Sequence, residues 1–322
     1  MGGRRGPGRA VARRARSPYV SASSPDLTVV IGSIDPGPVI LDCLAALEKQ
    51  AGPEVEIVVV DASSDGTAER LRARFPWARI IEAPAAPSLP KLRGLGMAAA
   101  RAPVVGILDG WCLVDDGWIA EAIRVHRERP ELVVGGGVEL APSERRSFAA
   151  WATYLFDYWE FVPPFATGRV GVLPGNNIVY KRAALASDDT LRTKGFWKAF
   201  TNARLKEANH GLWSSSRLAV RIRRRLPLGR FLRSRYHHGR SYAAMRVEAA
   251  SWKIRAKWAI VAPGLPLLFL ARQLRSLASK RGARGWFIAC APLLMAFHAS
   301  WAWGELCGYL RGPGRSHDAI RS

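Results

Sequence analysis

Acidic residues are scarce in this sequence. Twenty-six Asp and Glu stand against 48 Lys and Arg in 322 residues, a formal net charge of +22. An excess of that size implies an anionic partner: nucleic acid, an anionic membrane surface or a phosphorylated substrate. Cysteine is as sparse. The four residues Cys43, Cys112, Cys290 and Cys307 show no CxxC or CxxH spacing. That excludes a zinc-ligand set and a disulfide framework, and a reducing compartment is the expectation. Residues 1–24, composed of Gly, Arg, Ala, Ser and Pro, lack an apolar run that could form a signal-peptide core. They read as a disordered basic tail able to touch anionic headgroups. Hydrophobic residues, by contrast, make up 48% of the chain, which excludes a wholly disordered protein. The length suits one large domain with appendages, or two domains.

From Leu27 onward, apolar strands alternate with helical spacings. LTVVIGS (27–33), EVEIVVV (54–60, ending on Asp61), Ala78–Ile81, Val104–Leu108 and Leu132–Glu139 read as strands. Pro38–Gln50, Thr67–Phe75, Lys91–Arg101 and Trp118–Arg129 read as the intervening helices. Pro84–Pro90, with three prolines, reads as a loop. Such alternation gives βαβ units and a mostly parallel sheet, a nucleotide-binding type of α/β domain.

The C-terminal third differs. Arg217–Arg235 carries eight arginines. Trp258–Ala271 is uncharged over fourteen residues but holds Pro263 and Pro266, so it reads as an interfacial or bent half-helix, too short to span a bilayer comfortably. Trp286–Tyr309 is long enough to span, with aromatics toward its ends. Basic residues flank both blocks and favour a cytoplasmic placement of that side. A buried helical hairpin is the alternative. A lipid surface accounts for the basic excess more simply than nucleic acid, which is not expected as a partner.

Two stretches carry the chemistry. VVGILDGWCLVDDGW (104–118) is an apolar strand that ends on Asp109 and is followed by Asp115 and Asp116. A carboxylate at the carboxyl edge of an open α/β sheet can reach a metal or a sugar hydroxyl, although Asp109-Gly110 is also what a plain turn looks like. VVVDASSDGT (58–67) places Asp61 at a strand end and Asp65 at a helix start. Asp61 can accept from a nucleobase edge while Asp65 caps the helix near the ribose; both are also ordinary caps. RYHHGR (235–240) offers His237, His238 and Arg240 to a donor diphosphate, a lipid phosphate or anionic headgroups.

Taken in order, TVVIGS, EIVVVDASSDGT, LRGLGMAAARAPVVGILDG, VLPGNNIVYKRAAL and GELCGYLRGPGRS resemble the family 2 glycosyltransferases of GT-A fold, over about residues 27–316. The resemblance implies a GT-A nucleotide-diphospho-sugar transferase fold over 25–245 and a membrane-associated helical segment over 246–322. It implies a nucleotide-sugar donor, a lipid-linked or glycan acceptor, and transfer with inversion at the cytoplasmic face of a membrane. By the same likeness Asp61 binds the base and Asp65 supports it, with Ser33 and Asp35 beside them. Arg93 positions the diphosphate or base, and Gly96 allows close packing. Asp109 holds a divalent cation, Mg²⁺ or Mn²⁺, and Asn176, Asn177 and Trp197 line the acceptor side.

The departures are equally specific. The second metal carboxylate of the family falls on Trp111, which cannot ligate a cation, leaving Asp115 or Asp116 as substitutes. The acidic pair that holds the family's catalytic base falls on Trp197 and Lys198, and a protonated lysine is a poor base. Glu160, Asp157 and Glu207 are the other candidates. The catalytic set expected from sequence is therefore Asp109, Asp116 and Glu160. The alternative function is a lapsed relative that binds nucleotide sugar or serves as a scaffold.

Overall fold

A computed structural model of the chain describes residues 24–83, 88–186, 188, 190–224 and 226–320. The expected basic tail apart from Ser24, the middle of the proline loop and Arg225 lie outside the described residues. The first half runs β1 (Leu27–Ser33), α1 (Val39–Glu48), β2 (Val55–Asp61), α2 (Thr67–Arg74), β3 (Arg79–Glu82), α3 (Leu89–Ala99) and β4 (Val104–Asp109). Every residue of β1 and β2 is buried, as strands covered by helices on both faces must be. α1 turns Ile40, Cys43, Leu44 and Leu47 onto them. α3 comes close enough to β1 that a Cβ on Gly96 would lie 2.3 Å from Val30 Cγ1, so the glycine is required by packing.

The chain continues through β5 (Cys112–Val114), α4 (Trp118–Glu128), β6 (Val133–Gly135), β7 (Val138–Leu140) and α5 (Phe148–Tyr158). A 3-10 turn, Trp159–Phe161, extends α5 and leads to β8 (Gly168–Val170), β9 (Asn177–Lys181), α6 (Thr190–Thr193) and α7 (Lys198–Glu207). After these come β10 (Leu212–Ser214), β11 (Val220–Ile222), α8 (Leu228–Arg246), α9 (Trp252–Val261), α10 (Leu265–Leu277) and α11 (Arg281–Arg311).

Eight strands form a central sheet in the order β3-β2-β1-β4-β9-β6-β10-β8, and β5-β11-β7 form a small second sheet. The β3-β2-β1-β4 half is parallel, whereas β9 runs antiparallel to both β4 and β6, so the sheet is mixed. The strand expected over Leu132–Glu139 is two strands in different sheets. The chain breaks at Gly135-Gly136-Gly137, and a Cβ on Gly136 would lie 1.9 Å from the Leu218 carbonyl oxygen. After Asp109 the chain turns at Gly110-Trp111 and enters β5.

The C-terminal helices pack on this domain. α8 and α11 touch backbone to backbone: Cβ atoms on Gly239, Gly304 and Gly308 would lie 2.1–2.4 Å from carbonyl oxygens of the facing helix. Trp151 of α5 stacks on Trp286 of α11, with centroids 5.3 Å apart and planes 9° from parallel. Phe156, Phe231 and Phe297 join α5, α8 and α11 edge to face. α9 and α10 are set apart by the 3-10 turn Ala262–Gly264, the bend expected from Pro263. By length and composition, Trp252–Leu277 and Arg281–Arg311 are apolar enough to cross a membrane.

Candidate functional site

Parallel register gathers the strand ends. Ser33 pairs with Asp61 and Gly32 with Asp109, so β1, β2 and β4 present Ser33, Asp61 and Asp109 at one sheet edge, all buried. The loops after β1 and β2 are locked together. Ser63 Oγ donates to Asp61 Oδ1 at 2.7 Å and accepts the Asp35 N–H at 2.8 Å, while the Ser64 N–H donates to Asp35 Oδ1. Asp35 holds a left-handed backbone, φ 45°, to make that turn. Asp65 accepts from the N–H and hydroxyl of Thr67 and pairs with Arg70 at 3.3 Å. The Thr67 hydroxyl bond and the Arg70 charge, against a smaller burial cost, hold its carboxyl below the usual range. Asp65 thus braces the turn into α2, whose N-cap is Gly66.

Below this edge lies a cavity of 470 Å³ between the sheet and α5, α8 and α11. Asp109, Arg93, Trp111, Asn176, Glu160, Trp197, Lys198 and His238 line it, together with Asp157, Arg224 and Arg235. Asp109 is ion-paired with Arg93 of α3. Asp157 of α5 receives Arg224 Nη2 at 2.6 Å and Arg235 Nη1 at 2.7 Å. Burial would raise the Asp157 carboxyl, but Arg235 and Arg224 outweigh it and hold the group below its ordinary value. Lys198 Nζ donates to the Leu173 carbonyl at 2.9 Å. Burial lowers the Lys198 ammonium, opposed by Glu160. His238, edge-on to Trp197 at 5.3 Å, is driven down to about 3 by burial and by Arg235, and is neutral at physiological pH. Among the described residues Glu160 is the cavity carboxylate without an arginine or lysine ion pair.

A second cavity of 440 Å³ opens on the other side of Trp111 and Arg224, which line both. Its walls carry Asp35 from the β1–α1 loop and Arg230, Arg233 and His237 from α8. His237 Nδ1 lies 3.0 Å from Ser316 Oγ.

The expected residues therefore divide. Ser33, Asp61 and Asp109 converge at the edge; Arg93, Glu160, Asn176, Trp197 and His238 line the inner cavity, and Asp35 the outer one. Asp116 is exposed at the turn before α4 and lines neither cavity. Asn177 points across β9 instead, donating to the Gly137 and Leu218 carbonyls and accepting from Trp118 Nε1 at 3.0 Å. Arg240 donates to the Gly312 carbonyl at 2.9 Å and lines neither cavity. Arg224 and Arg235 are site residues that the sequence offered only as part of a basic run. Their signal was the arginine density itself, and β11 followed by α8 turns these two inward.

The donor set does not fit a divalent cation. Asp109 is already neutralised by Arg93, and position 111 is tryptophan. Asp115 is 2.6 Å from Arg221 Nη2, and among the described residues no group of three His, Cys, Asp or Glu is placed to hold a metal. An ion at Asp109 would also share the cavity with Arg93, Arg224, Arg235 and Lys198. At 4 Å the repulsion of a divalent ion by one unit charge costs about 8 kcal/mol for an effective dielectric near 20.

Comparison with known proteins agrees with the fold. Residues 28–187 match the family described as glycosyl transferase family 2. No curated protein matches the chain. Among solved structures, the mannosyltransferase PcManGT from Pyrobaculum calidifontis, in complex with GDP-Man and Mn²⁺, superposes with a TM-score of 0.53 at 19% identity. The match covers 85% of this chain and 86% of that one. GalNAc-T7 with UDP, GalNAc and Mn²⁺ gives 0.47 at 14% identity over 64% and 45% of the two chains. S. aureus TarS gives 0.42 at 17% over 61% and 36%. The arrangement of strands and helices is of the GT-A type.

Proposed function

The chain belongs to glycosyl transferase family 2 through residues 28–187, and from that premise we propose that it moves a sugar from a nucleotide-sugar donor to a lipid-linked or glycan acceptor. One observation carries the reading. The strand edge bearing Ser33, Asp61 and Asp109 opens on a cavity whose carboxylates are all held by arginines except Glu160. The nucleoside sits against Asp61 and the locked β1 and β2 loops, and the sugar enters the inner cavity between Asn176 and Trp197.

Transfer in this geometry is a single in-line displacement. The acceptor hydroxyl oxygen bonds to the anomeric carbon and passes its proton to Glu160. The bond from that carbon to the diphosphate oxygen breaks, and its electron pair leaves with the diphosphate, inverting the carbon. Neutral His238 and the lysine at position 198 border the site without competing as bases: one is weakly basic, the other hydrogen-bonded to Leu173. The residues do not fit the divalent cation expected from the resemblance, and no step here runs through one.

The membrane reading rests on the outer faces of α9, α10 and α11. Trp252, Ile260, Leu267, Ile288 and Trp303 are exposed there, alongside Lys253 and Lys257. α11 is joined to arginine-rich α8 by backbone contact along Gly304 and Gly308, which suits helices lying on a cytoplasmic anionic leaflet rather than crossing it. Vesicles containing anionic lipid should bind the protein in a salt-sensitive way, and DNA should not compete.

The testing experiment incubates the purified full chain with UDP- and GDP-sugars and anionic vesicles and measures nucleoside diphosphate release. Release from one donor class supports the proposal; silence across all donors overturns it. A lapsed, binding-only protein is the second reading, favoured by Lys198 in the base position. Donor binding by calorimetry without release would establish it.

A further inference from the structure

Three facts meet at Trp111 and Arg224. First, the place where a metal would sit is taken: Asp109 is paired with Arg93, and Trp111 stands two residues on. Second, Trp111 Nε1 and Arg224 Nε are buried N–H donors with no partner among the described residues. Unmet donors of this kind are costly unless a ligand supplies acceptors. Third, both residues line the inner and the outer cavity, so a group at the junction faces both. Arg224 is fixed there in advance. Its Nη2 is held by Asp157 at 2.6 Å, and its guanidinium lies 5.5 Å from the Trp111 ring. The outer cavity adds Arg230 and Arg233, exposed residues that form no ion pair among the described residues, and His237.

We propose that Trp111 and Arg224, with Arg230 and Arg233, form a diphosphate cradle that takes the place of a divalent cation, so that this chain binds its nucleoside diphosphate without metal. A diphosphate at the junction supplies the acceptor oxygens that the two buried donors lack. The exposed arginines face its outer oxygens across the second cavity, where planar guanidinium groups match phosphate geometry. Arginine is a permanent cation, so the cradle carries the leaving group's charge at any physiological pH. Trp111 is then a working substitution: a carboxylate there would repel the diphosphate unless an ion came with it, whereas an indole N–H donates to it.

The inference rests on the glycosyltransferase reading above, and one calorimetric series separates the two. UDP, GDP and inorganic pyrophosphate are titrated into the full chain in EDTA and again in Mn²⁺. At least one nucleotide is expected to bind with dissociation constants in the two buffers within about threefold. Arg230→Gln/Arg233→Gln should weaken that binding about tenfold or more in both buffers, since two charge-assisted contacts are lost. These two side chains are exposed, so the variant does not disturb the buried Asp157 pairing; Arg224→Met should show a loss at least as large. Binding that appears only with Mn²⁺, or an unchanged constant in the double variant, overturns the cradle and leaves the transferase reading standing. Binding of neither nucleotide in either buffer overturns both.

Discussion

The sheet edge and the helical wall face each other across one cavity, and each handles carboxylates differently. At the edge, Asp61 accepts from a serine hydroxyl inside a loop lock, and the strand register of β1, β2 and β4 fixes its place. On the wall, Asp157 is held by two arginines from separate elements, Arg224 just after β11 and Arg235 within α8. Asp109 belongs to the edge by register, yet its partner Arg93 makes it resemble the wall. Edge groups are set by neighbouring backbone and short side chains. Wall groups are set by long cations that travel far along the chain to meet one buried acid. Recognition of a nucleotide suits the first arrangement, and handling of a large negative charge suits the second.

Glu160 lies where the edge and the wall meet across the cavity. Glu160→Gln should lower turnover about 10²- to 10⁴-fold, the usual contribution of a positioned base, with nucleoside diphosphate affinity unchanged by calorimetry. A matching loss of affinity would move Glu160 from proton transfer to donor binding.

Next in size is the wall itself. Asp157→Asn leaves Arg224 and Arg235 buried without their counter-charge and should destabilise the fold by about 3–5 kcal/mol, read from denaturant unfolding. An unchanged midpoint would show that the two arginines find other acceptors.

At the edge the effect is smaller. Asp61→Asn keeps an acceptor for Ser63 Oγ but removes the charge. It should weaken nucleotide binding about tenfold and leave the unfolding midpoint near that of the parent.

The smallest effect is titration. Burial depresses His126, behind the sheet with Nε2 3.2 Å from the Val179 carbonyl oxygen, to about 4. Burial, and then Arg235, depresses His238 on the wall to about 3. Both are neutral when folded, whereas the unfolded chain takes up protons below the ordinary histidine value. Their stabilisation is thus complete above pH 6.5 and is lost as pH falls toward 4 and then 3. For His126 the slope approaches about 1.4 kcal/mol per pH unit inside that window. His126→Gln should flatten thermal stability against pH between 6.5 and 4.5; a slope equal to the parent's would place the titration elsewhere.

How much of this could be read in the sequence also follows the division. The edge was legible because strand ends are local: LTVVIGS, EIVVVD and VVGILD each announce an apolar run and its terminal residue, and βαβ order brings them into parallel register. Trp197 and Gly96 were singled out by the same likeness; the first lines the inner cavity and the second packs on Val30. The wall was not legible. Arg224 and Arg235 stand 67 and 78 residues from Asp157, and nothing local tells an inward arginine from one facing headgroups. Asn176 and Asn177 could not be separated by composition: Asn176, in the turn before β9, lines the cavity, whereas Asn177, the first residue of β9, turns to the Gly137 and Leu218 carbonyls. The glycine run at 135–137 looked like part of a strand, and only the Leu218 carbonyl beside Gly136 explains why the chain changes sheet there.

The most direct measurement is the position of a bound nucleoside diphosphate, UDP or GDP, in a crystal of the full chain grown with Mn²⁺ present. The nucleoside is expected against Asp61 and the diphosphate at the junction of Trp111 and Arg224, with the Asp109–Arg93 pair intact. Density for Mn²⁺ bridging Asp109 and the diphosphate, with Arg93 displaced, would contradict that placement.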